Sequence, residues 1–500
     1  MGEIDARLEA GTDGGGVTVP SGSGGTIGTP EAPRRRVTGI YLLAVGVVIM
    51  LAGLLFGYDQ GVISGALTGI QKQFSVGTFL LEVITSWVTL GAMAGALVAG
   101  SLADRLGRRL TIVVAAVLFI AGALIEALAP GAYVLVVGRL LVGFGVGVAS
   151  VAAPLYAAEL APARLRGRMV SLYQLAITIG IFAAYFADYL LTDGNRWRVM
   201  LGISAIPGVL LVLAIVPLPD SPRWYVKVGR HEQAKGALQK VEPGVDVTDE
   251  LQTMEDLNAK EAAGGWRAVF APAWRRPLVT AITLAVLQQF TGINAIIYYA
   301  DKIFAAAGFA SPASQSLATL WAIGAVNVVA TFGAVAWVDR FGRRPLLLIG
   351  SAGMGVSLIV VGAMFERMGT ASAGHAPSGA TTNGTITLVA LIVFIASFAF
   401  SLGPVVWTII NEVFPSHIRG RAVAVATAAN WFAAWLVAQF FLSLVDLITE
   451  AGTFWLFAGF CAVTFIFVRR FVPETKGKSL EEVEVLWGDP SAIRRAISPH

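Results

Sequence analysis

Twelve long, mostly apolar runs divide the chain, at 38–66, 79–104, 110–129, 131–159, 167–191, 196–217, 277–308, 314–339, 345–365, 386–413, 421–447 and 451–471. An α-helix rises about 1.5 Å per residue, so roughly 20 residues cross the ~30 Å hydrocarbon core of a bilayer. The pattern predicts twelve transmembrane helices. The pairs 110–129/131–159 and 421–447/451–471 have the shortest connections and are where the count is most easily wrong.

Between the runs, polar residues are unevenly placed. The stretch 218–276 is the one long polar segment between spans, and its pieces 231–240 and 248–262 read as short surface helices. The connection 366–385 is rich in Gly, Ala and Thr and reads as mobile; its Asn383-Gly384-Thr385 matches a glycosylation sequon. Residues 1–37 read as a disordered tail without the basic start and apolar core of a secretory signal. Of the 36 Lys and Arg, Lys72, Arg196, Arg198, Lys302 and Arg367 fall on one side and Arg139 within a span; all the others lie on the N-terminal side. Positive charge marks the cytoplasmic face, so both termini are predicted in the cytoplasm, with the protein in the cell (inner) membrane.

Composition agrees. The chain is 56% hydrophobic and 14% charged, with mean hydropathy +0.72, whereas a soluble chain is near 25% charged. One cysteine, Cys461, excludes a disulfide framework. The four histidines, His231, His375, His417 and His500, lack metal-ligand spacing. No metal, cofactor, nucleic-acid partner or enzyme chemistry is indicated, and a monomer is the expected working unit.

The chain repeats itself. Asp104-Arg105-Leu106-Gly107-Arg108-Arg109 follows the second run and Asp339-Arg340-Phe341-Gly342-Arg343-Arg344 the eighth. Glu159-x-x-Pro162-x-x-x-Arg166-Gly167 follows the fourth and Glu412-x-x-Pro415-x-x-x-Arg419-Gly420 the tenth. This duplication predicts two pseudo-symmetric six-helix bundles, 38–217 and 277–471, joined by the helical linker 218–276 and followed by a cytoplasmic tail, 472–500. Such bundles hold a substrate near the midplane and rock about it. Positive loops explain the arginines but not the matched Asp104, Asp339, Glu159 and Glu412. These predict ion pairs that latch the cytoplasmic face.

Asp59 and Arg139 are the two ionisable residues expected deep within spans. Glu82, Glu126 and Asp188 are expected near outer ends, within reach of water. Residue counting puts Asp59 and Arg139 at a similar depth, about 10–12 Å below the outer boundary. A charge inside a span is a functional candidate; the pair reads as a proton switch or, failing that, a static salt bridge. Amides and aromatics also lie at mid-span: Gln174, Gln288, Gln289, Asn327, Asn430, Trp431 and Trp407. Amides both donate and accept, as sugar hydroxyls do, although a lone intramembrane amide also serves as helix–helix glue. Gln289 and Asn294, five residues apart, face one ligand only if the seventh span unwinds, which Gly292 permits. Pro404 would bend the tenth.

In order along the chain stand Phe56-Gly57-Tyr58-Asp59-Gln60-Gly61-Val62-Ile63-Ser64-Gly65, the two Asp-Arg-x-Gly-Arg-Arg loops, Pro154-x-Tyr156-x-x-Glu159, Pro219-Asp220-Ser221-Pro222-Arg223-Trp224, Gln288-Gln289-x-x-Gly292-x-Asn294-x-x-x-Tyr298-Tyr299, Gly403-Pro404-x-x-Trp407 and Pro473-Glu474-Thr475-Lys476-Gly477. Over about 40–485 the chain resembles the sugar porters of the major facilitator superfamily, bacterial proton–sugar symporters and animal glucose facilitators among them. The resemblance implies an all-α membrane protein of the major facilitator fold. It maps sugar contacts onto Gln174, Ile177, Gln288, Gln289, Asn294, Asn327, Trp407 and Asn430, with Phe56, Phe398 and Trp431 as apolar walls. It implies proton coupling at Asp59 and Arg139, since the family's passive members lack the Asp. The cytoplasmic charge set it implies adds Asp220, Arg223 and Glu474 to the loop residues. Two departures stand out: Asp220 replaces the family's usual Glu, and Ala399 replaces the Glu that animal facilitators carry eight residues before the Trp.

The expectation is therefore import of a monosaccharide, with glucose or galactose favoured, coupled to protons and needing no cofactor. A passive facilitator, a pentose or inositol transporter and a membrane sugar sensor remain open on the sequence.

Overall fold

The computed structural model describes residues 39–161, 165–194, 196–241, 247–248, 251–256, 266–371, 382–414 and 416–476. The expected N-terminal tail and most of the C-terminal one lie outside these. All regular structure among the described residues is helical. Eleven helices or helix groups are long and apolar enough to cross a membrane.

The last of these, Ile418–Phe471, has 54 residues, about 80 Å of helix and far more than one crossing needs. It is two spans. The backbone leaves helical geometry at Thr449 (φ 69°, ψ 166°), and the Thr449 hydroxyl accepts from the Gly452 amide at 3.3 Å, as an N-cap does. The chain is thus consistent with twelve crossings.

The first helix, Gly39–Phe74, runs eight residues past the apolar stretch, ending in the polar Gln71, Lys72 and Gln73. It lies close against the fifth, Arg166–Leu191. Gly53, Gly57, Gly61 and Gly65, one per turn, make that approach possible: a Cβ on Gly57 would lie 1.9 Å from the Ile177 carbonyl, and one on Gly53 2.6 Å from that of Tyr173. Between lipid-solvated helices, small residues bring packing contacts where hydrophobicity gives no preference. The second helix (Thr78–Leu106) packs likewise on the fourth (Ala132–Leu160).

Several spans are broken. The seventh divides into Arg275–Phe290, Ile293–Tyr298 and Ala300–Ala306. Gly292 at the first break has φ +88°, a left-handed conformation that glycine adopts without steric cost. The eighth runs Pro312–Ala318, a π-helical turn Thr319–Ala325, then Val326–Phe341. The tenth breaks at Ser401, between Thr382–Phe400 and Leu402–Glu412. Pro404 therefore does not kink a continuous helix: it falls in the first turn of a new one, where its missing N–H has no partner to lose.

The expected surface helices appear as His231–Val241 and, in part, 251–256. Of the expected mobile stretch 366–385, the described residues 366–371 and 382–385 are the ends of the helices Arg343–Ala371 and Thr382–Phe400, and 372–381 lie outside the described residues.

Candidate functional site

Arg139 is fully buried and donates to Asp59 Oδ1 at 2.6 Å, joining the fourth helix to the first. The charges around this pair differ from the expectation. Glu82, Glu126 and Asp188 are 0%, 1% and 2% exposed, so water does not reach them. Counting residues along one helix cannot show what neighbouring helices cover. Glu82 accepts from the amide and hydroxyl of Ser443 at 2.7 and 2.6 Å. Asp188 accepts from the Gly65 amide at 3.2 Å. Glu126 lies 3.7 Å from Arg139 Nη1. Asp59 is thus not the only carboxylate in the deep charge cluster.

The break at Gly292 turns Asn294 back so that it donates to Gln289 Oε1 at 2.8 Å. Gln289 donates to Asn430 Oδ1 at 3.2 Å. Asn430 donates to Gln288 Oε1 and to the Ala285 carbonyl, both at 2.8 Å. Gln288 donates to the Leu402 carbonyl at the tenth-span break, at 2.7 Å. Four amides from the seventh and eleventh spans thus form one connected buried group. Trp431 beside it meets Phe56 of the first helix, centroids 5.4 Å apart. Phe56 lies three residues before Asp59, so about one helical turn separates this aromatic pair from the charge cluster.

The other candidates are less connected. Ile177 packs where Gly57 passes. Gln174 and Trp407 are half-buried. Phe398 lies over Gly403, its ring 3.4 Å from where a Cβ there would be. Asn327 is buried, and its oxygen accepts a long hydrogen bond from the Thr331 hydroxyl at 3.5 Å.

The repeated loops are structurally alike. Arg108 pairs with Glu159, Nε to Oε2 2.9 Å and Nη2 to Oε1 3.0 Å; Arg343 pairs with Glu412 at 3.2 Å. The amides of Arg108 and Arg109 donate to Asp220, and those of Arg343 and Arg344 to Glu474. Arg109 reaches the Val216 carbonyl, and Arg344 the Arg469 carbonyl. Burial pushes the Asp220 carboxyl above the ordinary carboxylate range, opposed by its amide donors. Asp104 pairs with Lys227 and Arg108, and its carbonyl accepts from the Trp224 indole. Arg419 donates to the Phe414 carbonyl, and the Arg223 amide to Ser221. The Arg340 carbonyl accepts from Lys476. Arg105 is exposed. The side chains of Arg166 and Asp339 lie outside the described residues. All these contacts stay within the first six spans and the segment that follows them, or within the last six and theirs; among the described residues the loops clasp their own half.

The halves are joined at the opposite end. Gln60 donates to Tyr298 (3.4 Å), the Asp301 amide to Ser64 (3.0 Å), Lys302 to Gln71 (2.9 Å) and Ser86 to Gln439 (2.8 Å). A cavity of about 500 Å³ lined by Thr68, Gln71, Asp301, Lys302 and Glu450 lies there, apart from the amide group. Sequence reasoning missed these contacts between the halves and the inward placement of Glu126. The signal for the latter was Gly138 beside Arg139: a Cβ there would sit 2.6 Å from Glu126 Cγ.

The family model "Sugar (and other) transporter" matches residues 45–487. The chain belongs to that sugar transporter family. Among its relatives, the galactose-proton symporter of Escherichia coli K12 is 40% identical over 460 residues, 91% of this chain and 96% of that one. An arabinose-proton symporter of Bacillus subtilis is 35% identical over 467 residues, 92% and 98% of the two chains. The solved structure of the proton:xylose symporter XylE of the major facilitator superfamily, bound to 6-bromo-6-deoxy-D-glucose, aligns with TM-score 0.75 and 33% identity over 90% of this chain and 99% of that one. The fold is that of the major facilitators, and the family consists of transporters, not enzymes.

Proposed function

We propose that this sugar transporter imports a monosaccharide together with a proton, a hexose such as glucose or galactose being favoured. The observation that carries the reading is the buried Asp59–Arg139 pair at 2.6 Å, one helical turn from an aromatic and amide group shaped for a polyhydroxylated ring. A charged neighbour favours the ionised carboxylate and desolvation the protonated one. A carboxylate whose partner comes and goes can therefore load and release a proton as the halves rock. The relatives include symporters for galactose and for arabinose; Asn430-Trp431 resembles the glucose- and galactose-type members of the family more than the xylose-type ones, which supports the hexose choice.

In this reading 38–217 and 277–471 are the moving bundles, 218–276 links them, and both termini face the cytoplasm of a bacterial cell. The halves meet at the end remote from the repeated loops, which supports reading this state as the one closed to the outside. The loop pairs brace each bundle's cytoplasmic end and help latch that face when it closes. Proteoliposomes supplied with only an inward proton gradient should concentrate a labelled hexose; equal concentrations inside and out at steady state would show a passive facilitator.

A further inference from the structure

Arg139 stands between two carboxylates, and the second, Glu126, has no role in the mechanism above. Glu126 is 1% exposed and comes from the third helix, Arg108–Leu128. Its Oε1 is 3.7 Å from Arg139 Nη1, too far for a hydrogen bond. That oxygen has no hydrogen-bond partner among the described residues, and neither have Arg139 Nε and Nη2. Buried polar atoms are nearly always paired. Glu126 Oε1 thus faces Nη1, the nitrogen that now holds Asp59, across a gap that a shift of about 1 Å would close, and the same guanidinium keeps two further donors unmet.

The other polar groups nearby are engaged. Tyr298, from the seventh span, accepts from Gln60. Tyr58, from the first, donates to the Met200 carbonyl. Arg198, from the sixth, donates to Gln73 and to the Ala129 carbonyl. Arg139 is the one cation within the cluster among the described residues.

Protonating Asp59 takes away Arg139's partner. A guanidinium left alone where water is excluded is strongly unfavourable. We propose that Glu126 is the positioning residue that receives Arg139 at that moment. A proton from water forms an O–H bond on Asp59, the Asp59–Arg139 pair breaks, and an Arg139–Glu126 pair forms. The guanidinium keeps its proton and is received by the ionised form of Glu126; release is the reverse. The cluster then never holds an isolated cation, and Asp59 loads under milder conditions than Arg139 alone would permit. This rests on the symport reading above.

The test is infrared titration of the purified full chain without sugar. The carboxylic acid C=O band of Asp59 is identified as the one lost in Asp59→Asn. In Glu126→Gln, the pH at which this band is half-developed should fall by about one unit or more, a tenfold loss of proton affinity. Glu126→Asp, a carboxylate one methylene further away, should fall between that variant and wild type, and it carries the test if Glu126→Gln does not fold. An unchanged half-development pH in either folded variant overturns the proposal, as does an Asp59 band absent at every pH. Failure of the symport reading would instead appear in the transport of wild-type protein, which this titration does not use.

Discussion

Gln289 is the centre of the amide group, accepting from Asn294 at 2.8 Å and donating to Asn430 at 3.2 Å. It is 7% exposed. Gln289→Ala removes the contact to a sugar hydroxyl proposed for it and leaves an Asn294 donor and an Asn430 acceptor unpaired. Each unmet buried group costs about 1–3 kcal/mol, but both bear that cost with and without sugar, so it largely cancels in binding. What does not cancel is the missing bond to the sugar and the loosened aim of the two neighbours. Together these should weaken binding by about 1–3 kcal/mol, roughly 5- to 150-fold in Kd. Isothermal calorimetry on purified protein, with the sugar the transporter accumulates, reads this directly. Wild-type Kd in a folded variant would remove Gln289 from the site and refute the reasoning.

Gly292→Ala should lower thermal stability in detergent, because left-handed geometry costs a side chain about 1–2 kcal/mol and its Cβ would come within 2.4 Å of the Phe457 ring; an unchanged unfolding midpoint would show that the break does not depend on glycine. Glu159→Gln should destabilise more than Glu412→Gln, since the Arg108–Glu159 side chains are 9% and 5% exposed and the Arg343–Glu412 ones 14% and 25%, and losing one partner of a buried pair costs about 3–5 kcal/mol. Equal losses in thermal unfolding would contradict that ranking. Both neutralisations should also slow closure of the cytoplasmic face, read as faster labelling of an introduced inner-cavity cysteine.

The spans were legible because lipid demands long apolar runs, a signal that survives without any knowledge of packing. The repeat was legible because two loops solve one problem twice: Asp220 and Glu474 bind the same pair of loop amides in each half. Gly292 announced its break, since only a left-handed residue lets Gln289 and Asn294 meet. What stayed hidden depends on contacts between helices. Glu126 looked solvent-facing because its depth was counted along its own helix, while Gly138 on the next helix makes room for it inside. The bonds between the halves, such as Ser86 to Gln439, join residues 353 apart, and no local pattern marks them. Nor does hydropathy show that a break at Ser401, rather than a bend at Pro404, shapes the tenth span.

The central claim is that Asp59 carries the coupled proton, and Asp59→Asn in proteoliposomes tests it most directly. The amide keeps the size of the protonated acid but cannot titrate. The account predicts that wild-type protein concentrates labelled sugar when only a proton gradient is supplied. The variant should lose this entirely, yet still bind sugar and exchange it across the membrane. A variant that still accumulates sugar against its gradient would contradict the account.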